Sequence, residues 1–394
     1  MPWKETRVMD QKISMIGQLL SEEYRVTELS GMYSVSRKTG SKWKGRYDRD
    51  GVAGLNEGLR TPGPMPGATP LDVVNRILAA RTQHQRWGGR KLLAYLKRQQ
   101  RGQRWPAASP ITNILKRHHM VAGRPRRRHT PPYNEPFLGC TQPNEVWCAD
   151  FKGQFRLGEG RLCYPFTLTD SYSRYRLGCW ALEHPTFLAT QRCLGEAFRR
   201  YGLPCAIRTD NGTPFASVGV GGLSSLGVWL IKPGIQPERI EKAHPEQNGR
   251  HERMHRTLKE EAVAPPRKNL AEQQRAFDRF MVTYNDERPH EALGQRPPAS
   301  VYRSSARAYP ARLPEVAYPE VFTVRAVKAN GDFKWRGAEL YLGAPLAGEK
   351  VGLRQIDSHT YQVYFSFYPL ALFDQTTLRI TSLCKCNLCL RYKL

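Results

Sequence analysis

The sequence predicts a multidomain chain: all-α units at the N-terminus, a central α/β core and a small all-β module at the C-terminus. Three observations predict this. Up to residue 119 apolar residues recur at helical spacing; from residue 143 strand-like runs of Tyr, Phe, Val, Leu and Trp alternate with helical text; beyond residue 320 the alternation is that of strands. Abrupt Pro/Gly-rich or Arg/Pro-rich stretches separate them. The expected layout is a helical unit (1–57), a linker (58–70), a second helical unit (71–122), a basic Pro-rich linker (123–140), the core (141–302), a tether (303–319), the β module (320–382) and a basic tail (383–394).

Composition narrows the partners before any motif is considered. Sixty-one Lys and Arg stand against 35 Asp and Glu, giving a net charge of +26, so a polyanion is the first partner expected. With 394 residues, 40% of them hydrophobic, the chain can build several cores. No run of about 18 apolar residues occurs and the N-terminus has no apolar signal core. These features argue against a membrane span or secretion and for the cytoplasm.

In the first unit Val8, Ile13, Ile16, Leu19 and Leu20 offer one helix an apolar side, Val26–Tyr33 a second helix, and Ser36 an N-cap for a third running to about Tyr47. That is a helix-turn-helix layout. On the third helix Val35, Trp43 and Tyr47 are expected to face the core, leaving Arg37, Lys38, Ser41, Lys42, Lys44 and Arg46 to enter a DNA major groove. In the second unit Leu71–Gln83, the helix after Trp87-Gly88-Gly89, and Ser109–His119 repeat the three-helix pattern, with Arg90 and Lys91 directed at phosphates.

Glu145–Lys152, Tyr164–Thr169 and Arg174–Leu182 predict three strands of the core, Pro185–Tyr201 a helix, and Cys205–Arg208 and Val228–Ile231 the fourth and fifth strands. Asp170 is expected to be structural, Trp180 and Trp229 to be core, and the singly placed cysteines from Cys140 to Cys205 to be small buried hydrophobes. Leu270–Tyr284 predicts a further helix, with His290 packing or capping after it. In the last module Glu320–Lys328, Phe333–Leu342, Glu349–Gln355 and Thr360–Tyr368 predict strands, with a hairpin turn at Asn330-Gly331. DNA and protein contacts are both open for this module, and Cys384, Cys386 and Cys389 leave open either part of a zinc site or an uncommitted basic tail.

The chemistry concentrates in three places. Asp150 ends one predicted strand, Asp210 follows another within Asp210-Asn211-Gly212, and Glu252 lies on a helix where Met254, Leu258 and Ala262 form an apolar stripe. Two strand-end aspartates and a helical glutamate are what a two-metal phosphoryl-transfer site needs, because a metal pair about 4 Å apart clamps the attacking and leaving oxygens.

Glu145-Val-Trp-Cys-Ala-Asp150-Phe, Arg208-Thr-Asp210-Asn-Gly-Thr-Pro-Phe-Ala-Ser217 and Pro245-Glu-Gln-Asn-Gly-Arg-His-Glu252 resemble the three signatures of the DDE transposases of bacterial insertion sequences, whose core is similar to retroviral integrase. The resemblance covers roughly residues 1–320. It implies a ribonuclease H-like core and metal ligation by Asp150, Asp210 and Glu252, with two Mg²⁺ ions for which Mn²⁺ can substitute. It also implies DNA contacts from Asn211, Arg256 and Lys259, double-stranded DNA as element ends and target, and a homodimer or larger homo-oligomer. Two departures stand out: 41 residues separate Asp210 from Glu252, with a Gly-rich stretch at 218–227, and Glu246 is a rival acid. Glu252 is preferred because it shares a helix face with Arg256 and Lys259.

The function expected is therefore recognition of terminal inverted repeats followed by metal-dependent DNA cleavage and strand transfer. The rival reading is a transposase-derived DNA-binding regulator without cleavage activity. A ribonuclease H-like nuclease stands third.

Overall fold

The computed structural model describes residues 8–56, 68–121, 140–215, 217, 219–239 and 249–383, with the side chains of 249–253 excepted. The linker at 58–67, the Arg/Pro stretch at 123–139, Glu246 and the cysteines of the tail lie outside the described residues. Two compact units emerge, residues 1–70 and 71–394.

In the first unit α1 (Val8–Leu20), α2 (Val26–Met32) and α3 (Arg37–Asp50) close over Ile16, Trp43 and Leu55. Ser36 caps α3 as expected, its hydroxyl accepting from Thr39 N at 3.2 Å. Gly40 lets α3 approach α2, since a Cβ there would lie 2.5 Å from Ser30 Oγ. The apolar side of α1 differs from the expectation: Met15 and Ile16 are buried, while Val8, Ile13 and Leu20 are exposed, because three short helices leave no second layer to cover them.

The second unit begins with α4 (Leu71–Gln83), α5 (Gly89–Gln99) and α6 (Ala108–Arg117), packed around Ile77, Trp87, Leu92, Trp105 and Ile111. The Gly-Gly pair after Trp87 has a steric reason. A Cβ at Gly89 would meet Ala108 O at 2.4 Å and Thr112 Oγ1 at 2.5 Å, so only glycine admits this helix crossing. The N-cap of α6 is Ala107, which places Ser109-Pro110 inside the first turn.

The core sheet is built on β1 (Val146–Phe151), with β2 (Phe155–Arg156), β3 (Leu162–Asp170), β4 (Arg176–Leu182), α7 (Phe187–Tyr201), β5 (Ala206–Thr209), α8 (Ser225–Ile231) and β6 (Gln236–Arg239) following. β1, β3 and β4 run antiparallel, whereas β5 lies parallel to β1 and β6 parallel to β5. Trp147, Phe166, Leu168 and Ile207 pack under α7. Cys163 and Cys179 face the other way, against Met254 and Leu258 of α9 (Gly249–Leu258) and Phe277 and Phe280 of α10 (Leu270–Val282). The result is a sheet with helices on both faces, the ribonuclease H-like arrangement expected.

Val228–Ile231, expected to be the fifth strand, is the end of α8 instead. Leu226 to Ile231 are all buried, so no polar face betrays the helix, and the strand of the sheet comes later at Gln236–Arg239. Cys205 is exposed, unlike Cys163, Cys179 and Cys193, whose burial pushes each thiol up to about 12. Asp170 is structural: fully buried, it accepts from Asn144 N at 2.7 Å and from Ser173 N and Oγ.

The C-terminal part is an all-β sheet, β7 (Phe322–Ala326), β10 (Lys350–Gln355), β11 (Thr360–Phe365), β12 (Tyr368–Asp374) and β13 (Arg379–Ser382), beside a hairpin of β8 (Asp332–Trp335) and β9 (Ala338–Tyr341). Phe333–Leu342 is thus two strands, turning at Arg336-Gly337, where both φ values are positive. Its core is continuous with α8 through Leu223, Val228 and Ile231. The Gly-rich stretch is part of this seat: Gly221 N donates to Ser382 Oγ at 3.1 Å, and its carbonyl accepts from Arg239 at 2.9 Å.

Candidate active site

Asp150 and Asp210 are brought together by strand register. Trp147 pairs with Ile207 and Cys148 with Arg208 across the parallel β1–β5 ladder. Carried two residues further, the register brings Asp150 level with Asp210, on strands about 4.8 Å apart. Period two decides the face. Trp147, Ala149 and Ile207 point under α7, so Cys148, Asp150, Arg208 and Asp210 belong to the opposite face, which α9 covers.

Asp150 is nearly buried and Asp210 half-buried. The Asp210 carboxylate accepts from Gly212 N at 3.0 Å, which stabilises the turn through Asn211-Gly212. Below it Arg208 and Glu238, register partners on β5 and β6, form a buried ion pair at 2.6 Å that holds the sheet edge.

Glu252 lies on α9; its side chain is outside the described residues. One turn later on the same helix, His255 meets both neighbouring strands. Its Nδ1 is 3.7 Å from Asp150 Oδ2, and its Nε2 is 3.1 Å from Thr167 Oγ1. Thr167, the register partner of Asp150 on β3, donates in turn to the Asp150 carbonyl at 3.1 Å. The described residues therefore bring α9 against β1 at Asp150. Met254 and Leu258 are buried, as the apolar stripe requires, and Arg256 and Lys259 are exposed. Beside them is Lys152, missing from the sequence reading, whose ammonium is held below the ordinary lysine range by burial and by Lys259. His255 and Lys152 were both detectable in principle: one stands a helical turn after Glu252, the other two residues after Asp150.

The donor chemistry suits a hard divalent cation, with carboxylates on adjacent strands and cations at the rim. Among the described residues no three His, Cys, Asp or Glu side chains cluster closely enough to hold a metal ion.

The expected DNA contacts divide. Arg37, Lys38, Ser41, Lys42 and Lys44 are exposed on α3, though Lys44 pairs with Asp48 at 2.9 Å, and Lys42 and half-buried Arg46 lean over the Trp43 ring at 5.1 Å. Asn211 is exposed. On α5, Arg90 is exposed and forms a surface pair with Glu291 at 3.3 Å, whereas Lys91 is half-buried and lowered to about 8 by burial first, then by Arg288. Arg98 donates to the carbonyls of Glu287 and Gln295. No described helix is long and apolar enough to cross a membrane.

Comparison with known proteins agrees with this geometry. Residues 140–245 and 233–298 match integrase core domain families, and residues 39–115 match a homeodomain-like domain. An uncharacterized 39.2 kDa protein of insertion element IS476 from Xanthomonas euvesicatoria is 26% identical over 257 residues, covering 63% of this chain and 69% of its own. The transposase InsD of insertion element IS2 from Escherichia coli is 28% identical over 257 residues, covering 60% of this chain and 79% of its own. Among solved structures, the HTLV-2 integrase catalytic core domain in complex with magnesium is similar with a TM-score of 0.33 and 16% identity, over 41% of this chain and 99% of that one. With two integrase-core matches meeting over the Asp150–Asp210 sheet and its α9 cover, and insertion-element proteins aligned with it, the chain carries an integrase core domain and is similar to the transposases of insertion sequences.

Proposed function

We propose that the chain binds the terminal inverted repeats of its element and catalyses cleavage and strand transfer of DNA, with Asp150, Asp210 and Glu252 holding two Mg²⁺ ions or Mn²⁺ in their place. The observation that carries this reading is the shared level of Asp150 and Asp210 on neighbouring strands, with the helix of Glu252 meeting Asp150 through His255. Bound there, the ions supply Lewis-acid activation of a water or 3′-hydroxyl and stabilisation of the leaving oxygen. The chain's own cations attract the phosphodiester: Lys152, Arg256 and Lys259 lie around the acids and draw phosphate in. Arg37, Lys38 and Ser41, exposed on α3 beyond its Ser36 cap, are the residues of that helix best presented to a major groove. Because each event joins two DNA ends, the working form is a homodimer or larger assembly.

The test is a Mg²⁺-dependent joining assay on the flanking inverted repeats, run beside Asp150→Asn, Glu252→Gln and Glu246→Gln. Joining by the wild type and Glu246→Gln, with none from the other two, is the expected result. Wild-type joining by Asp150→Asn refutes the metal assignment. Repeat binding without any cutting or joining by the wild type supports the regulator instead.

A further inference from the structure

The geometry points to His255 as the positioning residue of the site: through Thr167 it ties the helix that carries Glu252 to the backbone of Asp150 and so sets the spacing of two metal ligands. This rests on the metal-site reading above and adds to it a residue outside the acid triad.

The contacts form a chain of two hydrogen bonds. The Thr167 hydroxyl has one proton, and the Asp150 carbonyl 3.1 Å away accepts it. The hydroxyl oxygen is then an acceptor, so His255 Nε2, 3.1 Å away, carries the proton donated to it. Donation from Nε2 fixes the ring plane, with Nδ1 at 3.7 Å from Asp150 Oδ2, beyond hydrogen-bond range. The chain of bonds runs from the α9 ring through β3 to the β1 backbone at Asp150. Thr167 is fully buried, and the side chains of His255 and Asp150 are 12% and 13% exposed, so little water is available to replace a lost contact.

Two ligands on separate elements must be brought to a fixed spacing when they share a metal, and elements already tied together lose less freedom in doing so. The chain thereby lowers the cost of metal binding by linking β1 to the helix that carries Glu252. Replacing groups that orient a metal ligand typically costs about 10- to 100-fold in metal affinity.

The test titrates Mn²⁺ and Mg²⁺ into the full-length protein and follows the metal-induced rise in Tm, each variant measured against its own metal-free Tm. His255→Ala and Thr167→Val are expected to weaken the half-saturating metal concentration about 10- to 100-fold. Thr167→Ser, which keeps the hydroxyl, is expected to titrate like the wild type. Should His255→Ala fail to fold, His255→Gln and Thr167→Val decide the matter. Half-saturation within about twofold of wild type in the folded variants overturns the positioning role. Asp150→Asn separates the two readings: it is expected to remove the metal response, and an unchanged response there overturns the metal site itself.

Discussion

Arg98 of α5 donates its guanidinium to the backbone carbonyl of Glu287, 189 residues away at the end of the core's last helical turn. The same side chain reaches Gln295 O, so one arginine ties the second helical unit to both sides of the Arg288–Gly294 turn. Arg98→Ala is expected to destabilise residues 71–394 by about 1–3 kcal/mol, the range for hydrogen bonds involving a charged group. Urea unfolding followed by tryptophan fluorescence measures it. An unchanged midpoint would show that the docking is held by other contacts.

Gly89→Ala places a methyl carbon against the Ala108 carbonyl, which is backbone and cannot swing away. The α5–α6 crossing must open, at about 1–3 kcal/mol. The cost should appear as a lower Tm; Gly88→Ala, where a Cβ meets nothing within 4 Å, is the control expected to leave it nearly unchanged.

His290 is pushed down to about 3, by burial first and then by Lys91 and three arginines, and His84 to about 4 by burial and Arg288. His84 sits 3.5 Å from Glu287, but its Nε2 makes no hydrogen bond, so the burial that keeps it neutral outweighs the acid. Both histidines have a folded pKa below the unfolded value near 6.5. Their stabilising effect is complete above that value and lost as pH falls toward 4 and 3, because the unfolded chain takes up protons that the folded one refuses. Between pH 7.5 and 5.5 stability should fall, with each histidine contributing up to about 1.4 kcal/mol per pH unit. His290→Phe, which keeps the edge contact with Tyr284, should flatten the slope. An unaltered slope would remove His290 from the account.

Asp210→Asn retains the turn bond to Gly212 N yet removes a charge that a cation needs. Joining of DNA ends should drop by about a thousandfold or more, comparable with removing one well-placed electrostatic stabiliser. Affinity for the repeats, read by fluorescence anisotropy, should stay within about twofold of wild type.

Removing Arg37 and Lys38 together should weaken DNA binding about equally for repeat and random sequence if both meet phosphates, and lower the salt dependence by about one to two counterions. Loss confined to the repeat would make one of them a base-reading side chain. No change in either would remove this end of α3 from the interface.

The acids on strands were legible because an apolar run ending in aspartate is local information. What was lost needed tertiary context. Val228–Ile231 is buried on every side, and such a run has the same composition in a strand or a helix. The basic side of α5 was visible as a charged stripe, but the engagement of Arg98 by the Glu287 and Gln295 carbonyls comes from some 190 residues downstream, beyond any window of sequence. His255 stood three residues past the Glu252 motif, yet a histidine on a helix has no meaning until Thr167 and Asp150 are seen beside it. The Arg336-Gly337 turn was a signal available and passed over, hidden by the stronger Asn330-Gly331.

The glycine-bearing segment between Asp210 and α9 has a consequence for anyone dissecting this enzyme. Its hydrophobic side chains Leu223, Val228 and Ile231 share their shelter with Leu346, Val351 and Phe373. A fragment trimmed to the catalytic portion would present those side chains to solvent, and its stickiness would be an artefact of the cut. The chain length between the second and third acids is thus the footing of the C-terminal sheet, and shortening it would undermine a distant part of the protein before it touched the chemistry.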